Sequence, residues 1–89
     1  MAKVLVLDRE TGEDMETITV RPPKKEVVTI GDMWSAIGRA LEEKGYDLSG
    51  MDLADDMRES GMSVPKGIHY VVWADRIPRP GKRWYPGLG

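Results

Sequence analysis

Few side chains in this sequence of 89 residues are of types that could carry out chemistry. It contains one histidine, His69, and no cysteine. A zinc site needs three or four nitrogen, sulfur or oxygen ligands at suitable spacing, and these residues cannot supply them. His69 stands between Ile68 and Tyr70 in a strand-like run, which favours a packing role. We therefore predict no metal and no cofactor, and we expect EDTA to leave the fold unchanged.

Acidic side chains are concentrated between Glu42 and Glu59, where seven acids stand against two bases. Residues 52–56 in this stretch lack the alternating oxygen ligands and the central glycine of a calcium-binding loop. Neither of the common phosphate-binding glycine motifs occurs, and no serine lies in the context of a nucleophile elbow. Acids in this pattern are typical of the exposed face of a helix. The sequence therefore predicts a protein that is not an enzyme.

The strongest functional pattern is a basic and aromatic tail over residues 76–89. The tail carries four cations and no acid, whereas residues 1–75 carry a net charge of −6. Arg, Trp and Tyr are enriched at the centres of protein interfaces, and prolines lower the entropy lost on docking because they hold a chain extended. The predicted partner-binding residues are Arg76, Arg79, Lys82, Arg83, Trp84 and Tyr85.

Hydrophobic periodicity predicts the strands that would carry this tail. Residues 4–7 are apolar at every position, which indicates a central strand covered on both faces. Residues 16–20 alternate, with Ile18 and Val20 on the apolar side, and they predict the second strand of a β-hairpin. Residues 68–74 are rich in β-branched and aromatic side chains, and they predict a last strand that pairs in parallel with the first.

Two helices are predicted between the hairpin and the last strand. The first begins after Thr29, which forms a capping box with Asp32, and it ends at Gly45. The second is predicted over residues 50–60, with Ser49 as its cap. The apolar stripe of the first helix predicts five core residues, which are Ile30, Met33, Trp34, Ile37 and Leu41.

Together these elements predict one α+β domain over residues 1–75, followed by the tail over residues 76–89. We expect a small mixed sheet of three to four strands, with both helices on one face. An entirely antiparallel sheet is the alternative. An apolar run of bilayer length and a signal-peptide pattern are both absent from the sequence, which favours a cytoplasmic protein that does not bind membranes.

Two functions follow from the tail. The first is that of a non-enzymatic accessory, adaptor or inhibitor protein, of the small kind common in phage genomes, whose tail binds a protein partner. The second is contact with single-stranded nucleic acid, with tail cations on phosphates and tail aromatics on bases. The acidic body favours the first, because a domain dedicated to nucleic acid is usually basic.

A third function comes from the order of the elements. Hairpin, helix, strand and an extended tail that ends in glycine resemble the order in ubiquitin-like proteins and β-grasp sulfur carriers. In that family the tail ends in Gly-Gly and is activated at its C-terminus, whereas Leu88 precedes Gly89 here. The resemblance implies a carrier protein.

Overall fold

The computed structural model describes residues 1–76, which form a four-stranded sheet with a helix on each face. The strand order across the sheet is β2-β1-β4-β3, with β1 and β4 parallel in the centre and an antiparallel partner outside each. The α+β class, the hairpin and the mixed sheet are confirmed. Along the chain the elements are β1 (Ala2–Asp8), β2 (Asp14–Val20), α1 (Ile30–Glu43), β3 (Tyr46–Leu53), α2 (Ala54–Glu59) and β4 (Tyr70–Arg76).

The unbroken apolar run of β1 serves two cores, one on each side of the sheet. Val4 and Val6 face α1, whereas Leu5 and Leu7 face α2. All four side chains are buried, which confirms the central position of β1. The expectation that both helices lie on one face is wrong, because a central strand that is apolar on both sides needs a cover on both sides.

The first helix starts as predicted but buries a narrower stripe. The Thr29 hydroxyl accepts a hydrogen bond from the Asp32 N–H at 3.1 Å, and the Asp32 carboxylate accepts one from the Thr29 N–H at 3.0 Å. Met33, Ile37 and Leu41 are buried at a spacing of four residues. Ile30 and Trp34 are 57% and 41% exposed, so their assignment to the core is wrong. Ile30 is the first residue of the helix, and Trp34 lies on its flank.

The stretch predicted as the start of the second helix is instead the strand β3. A bulge between Leu48 and Gly50 shifts the alternation of its side chains by one residue, which hides the period of two in the sequence. β3 pairs with β4, whose outer edge would otherwise lie open. The second helix is confined to Ala54–Glu59, and Leu53 rather than Ser49 stands at its N-cap.

Candidate partner-binding site

The structure describes one of the six predicted partner-binding residues, Arg76. It is exposed, is the last residue of β4 and pairs with Tyr46 of β3. The other five lie outside the described residues, namely Arg79, Lys82, Arg83, Trp84 and Tyr85. The strongest candidate site within residues 1–76 is a surface that the sequence did not predict.

The core between α1 and the sheet is closed at the end where β4 finishes. The Tyr46 hydroxyl donates a hydrogen bond to the Glu16 carboxylate at 2.9 Å, which joins the two opposite edge strands, and Lys44 Nζ lies 3.5 Å from the same carboxylate. The hydrogen bond to Glu16, and after it burial, raises the pKa of the Tyr46 phenol, while the charge of Arg76 acts against this rise. We name this feature the closed end, defined by Glu16, Lys44 and Tyr46.

The opposite end of the same core is open, and its rim is apolar. A cavity of about 390 Å³ lies between the start of α1 and the starts of β1 and β4. Met1, Val28 and Ile30 line it and are 70%, 37% and 57% exposed. We name this surface the open groove, defined by Met1, Pro22, Val28, Ile30, Met33 and Tyr70.

Apolar residues on both sides of the Thr29 cap account for the groove. Val28 and Met33 take the two positions that form a hydrophobic staple across a helix start, and here both line the groove. Val27 and Ile30 add two more apolar side chains that neither the staple nor the buried stripe of α1 requires. This surplus around a helix cap is the signal in the sequence that could have indicated the site.

His69 also lines the open groove, and its hydrogen bonds extend the pairing of the central strands by one residue. The ring Nδ1 of His69 accepts a hydrogen bond from the backbone N–H of Lys3 at 2.9 Å, and the backbone N–H of His69 donates to the Lys3 carbonyl at 2.9 Å. The residue is exposed, but this exchange with β1 ties it to the sheet. His69 thus has a structural role through hydrogen bonds, and the packing position predicted for it within the last strand is wrong, because β4 begins one residue later, at Tyr70.

Trp34 lies outside the open groove, on the side of α1 that faces β3. It lines a second cavity of about 370 Å³ together with Tyr46 and Leu48. Charged or polar residues make up most of the remaining lining, namely Ser35, Arg39, Glu42 and Asp47. The open groove is therefore the more apolar of these two surfaces.

Comparison of the chain with protein-family models, curated proteins and solved structures found no match. Within residues 1–76, no three His, Cys, Asp or Glu side chains are grouped so that they could hold a metal ion. No helix in this part of the chain is long and apolar enough to cross a bilayer; the longest, α1, has 14 residues. The open groove is the feature of residues 1–76 that points most directly to a function.

Proposed function

We propose that this protein is a non-enzymatic interaction module that binds a partner protein in the open groove. One observation carries the proposal: hydrogen-bonded polar side chains close one end of the α1 core, and exposed apolar side chains line the other. Exposed apolar patches mark interaction sites, because burying them in a complex removes apolar surface from water. The cavity of about 390 Å³ has room for one or two side chains of a partner.

The extent of the apolar surface favours a protein over a small molecule. Beside the groove, Val27 is 75% exposed, and Trp34, one helical turn after Ile30, is 41% exposed. A small ligand in the cavity would leave these side chains in water, whereas a protein surface can cover them together. The partner role is that of an accessory, adaptor or inhibitor protein.

The tail is proposed to supply a second contact with the same partner. Arg76, where β4 ends, lies roughly 20 Å from Tyr70 in the groove, since the strand rises ~3.3 Å at each of the six steps from residue 70 to residue 76. A protein partner can span this distance. Single-stranded nucleic acid bound by the tail would leave the groove unused, so a protein partner is preferred.

The test compares the wild type with Ile30→Glu and Ser35→Glu. Ile30→Glu places a charge in the groove, and Ser35→Glu places the same charge on the exposed face of α1 outside it. Partners captured from native lysate are identified by mass spectrometry, and the affinity of the purified partner is measured by calorimetry. We expect Ile30→Glu to weaken binding at least tenfold, which is ~1.4 kcal/mol, and Ser35→Glu to bind like the wild type.

Equal affinities of all three proteins for the partner would refute the proposal, provided that melting curves show all three folded. If removal of residues 77–89 abolishes binding and Ile30→Glu does not affect it, the tail alone is the site. A single-stranded oligonucleotide that binds with a log–log salt slope of about −3 would favour the nucleic-acid alternative, because four contacts to single-stranded phosphates give that slope.

A further inference from the structure

The outer edge of β2 ends beside the open groove. The strand order leaves β2 and β3 as the two edges of the sheet. β2 finishes at Val20, and Pro22, two residues later, lines the groove. An extended segment paired with this edge would therefore reach the groove with one of its side chains.

The two edges are not equally protected against such pairing. Natural edge strands are often blunted by bulges, lysines or prolines. β2 has one irregularity, at Met15 near its start, and is regular in register over residues 16–20, where Thr17, Ile18, Thr19 and Val20 are all β-branched. β3 is interrupted by its bulge and runs directly into α2. β2 is therefore the edge that is better suited to accept another strand.

Basic residues lie near the end of β2. Lys3 pairs with Thr19 in the β1–β2 register and lies on the sheet face opposite the α1 core, because it alternates with Val4, and Arg21 and Lys24 follow the end of β2. All three cations are exposed, and none forms an ion pair with another residue of 1–76. Carboxylates on a bound segment would therefore find unpaired cations here.

The local acids compete weakly for these cations. Asp32 is already paired with Lys25 at 3.0 Å and accepts the N–H of Thr29. Glu26, in the same loop, forms no ion pair with a cation of residues 1–76. The acids that give residues 1–76 their net negative charge are concentrated elsewhere, at the hairpin tip and over residues 42–59, from the end of α1 to the end of α2.

We propose that the occupant of the open groove is an extended, acidic segment of the partner protein that adds a strand to β2. Its backbone pairs with the outer edge of residues 16–20, an apolar side chain enters the groove, and carboxylates lie near Lys3 and Arg21. In strand addition, main-chain hydrogen bonds give affinity and side-chain pockets give specificity. This inference rests on the proposed function of the groove and adds the conformation and charge of the bound segment.

The probe is a displayed library of random dodecapeptides, selected on the immobilised full chain. We expect enriched peptides to hold a large apolar residue flanked by Asp or Glu, and to bind Ile30→Glu at least tenfold more weakly. The best peptide is then made in two forms, N-methylated on one or the other set of alternate residues. Only every second N–H of an added strand bonds to its neighbour, so one form should lose at least tenfold in affinity and the other less than threefold.

Charge is tested with a matched pair of variants on the protein. Arg21→Glu reverses a cation beside the end of β2, and Arg39→Glu makes the same change on the exposed face of α1. We expect Arg21→Glu to weaken the best peptide about tenfold, because one attraction becomes a repulsion. Arg39→Glu should change its affinity less than twofold.

The possible failures separate the inference from the proposed function. Equal affinities of the two N-methylated forms would overturn strand addition, even where Ile30→Glu still weakens binding and the groove itself stands. Enriched peptides without acids, or equal effects of Arg21→Glu and Arg39→Glu, would overturn the acidic character of the segment. A selection that yields no peptide dependent on Ile30 would overturn the groove as well.

Discussion

The two ends of the core under α1 are built from the same helix and the same sheet, yet they meet solvent in opposite ways. At the closed end, Tyr46 reaches across the sheet to Glu16, and polar atoms face the water. At the open groove, Met1, Val28 and Ile30 stay exposed beside a cavity. The same fold closes one end with a hydrogen bond between its edge strands, so the fold itself does not require an open end. The exposure at the other end comes from the apolar residues that the sequence places there.

The largest difference in unfolding free energy should be that between alanine variants of two apolar residues near opposite ends of α1. Leu41 is fully buried toward the closed end, so Leu41→Ala should cost ~2–5 kcal/mol, the usual range for such a cavity. Ile30 is 57% exposed, and Ile30→Ala should cost less than ~1 kcal/mol because little burial is lost. Urea denaturation measures both. Similar costs for the two variants would show that the open end is packed in solution.

Removal of the hydroxyl at the closed end should give the next largest effect. Tyr46→Phe deletes the hydrogen bond to the Glu16 carboxylate and should cost ~1.5–3 kcal/mol at neutral pH, the range for hydrogen bonds to charged groups. Tyr70→Phe is the matched control, since the Tyr70 hydroxyl forms no hydrogen bond within residues 1–76. A cost as large for Tyr70→Phe would contradict the distinction between the ends.

The same hydroxyl should make stability sensitive to alkali. The pKa of Tyr46 is raised in the folded state, so its contribution is fully present below the unfolded value of 10.0 and is lost as pH rises through the folded pKa. The stability gap between the wild type and Tyr46→Phe should therefore shrink in strong alkali. A gap that stays constant through alkaline denaturation curves would argue against the bond.

A substitution in the middle of α1, the helix that both ends share, should stabilise the domain slightly. A Cβ at Gly38 would lie 3.8 Å from Leu48 Cδ2, which is ordinary contact, and Ala is favoured over Gly inside helices by roughly 0.5–1 kcal/mol. We expect Gly38→Ala to raise the melting temperature and to leave binding at the open groove unchanged. A lower melting temperature would mean that α1 lies closer to β3 than this distance indicates.

The smallest effect concerns the start of α1, beside the groove. The Thr29 N–H, followed by Lys25, lowers the pKa of Asp32, so its contribution is present above the unfolded value of 3.8 and is lost as pH falls through the folded pKa. Asp32→Asn should lower the melting temperature modestly at neutral pH. In strong acid the wild type and Asp32→Asn should have the same melting temperature. A difference in melting temperature that persists in strong acid would show that the carboxylate charge is not its cause.

Local patterns in the sequence predicted the elements whose determinants lie close together in the chain. The capping box of Thr29 and Asp32, the stop at Gly45 and the apolar run of β1 are of this kind. The sequence did not predict the strand β3, because its bulge breaks the alternation of apolar and polar residues. Its strand conformation also depends on pairing with β4, which comes later in the chain.

The candidate site was hidden for a different reason. The hydrophobic spacing of α1 predicted that Ile30 lies in the core, but Ile30 is exposed. Spacing identifies the apolar side of a helix and does not show which of its turns extends beyond the sheet. The hydrogen bond between Tyr46 and Glu16 joins residues that are 30 apart in sequence, so no local pattern predicts it. The tail prediction concerns residues outside 1–76, apart from Arg76, and it stays a prediction.

The parallel pairing of β1 with β4 also dictates the order in which the molecule can assemble. Residues 4–8 of β1 each pair with a residue of β4 that lies 66 positions later, so the centre of the sheet is made from the first and the last strands of the described chain. The hairpin and α1 can form early, but Leu5 and Val6 have no complete cover until β4 has been synthesised. Closing the long loop between β1 and β4 costs conformational entropy before the contacts between the two strands can stabilise the domain. We therefore expect the domain to become protease-resistant in one late step rather than progressively.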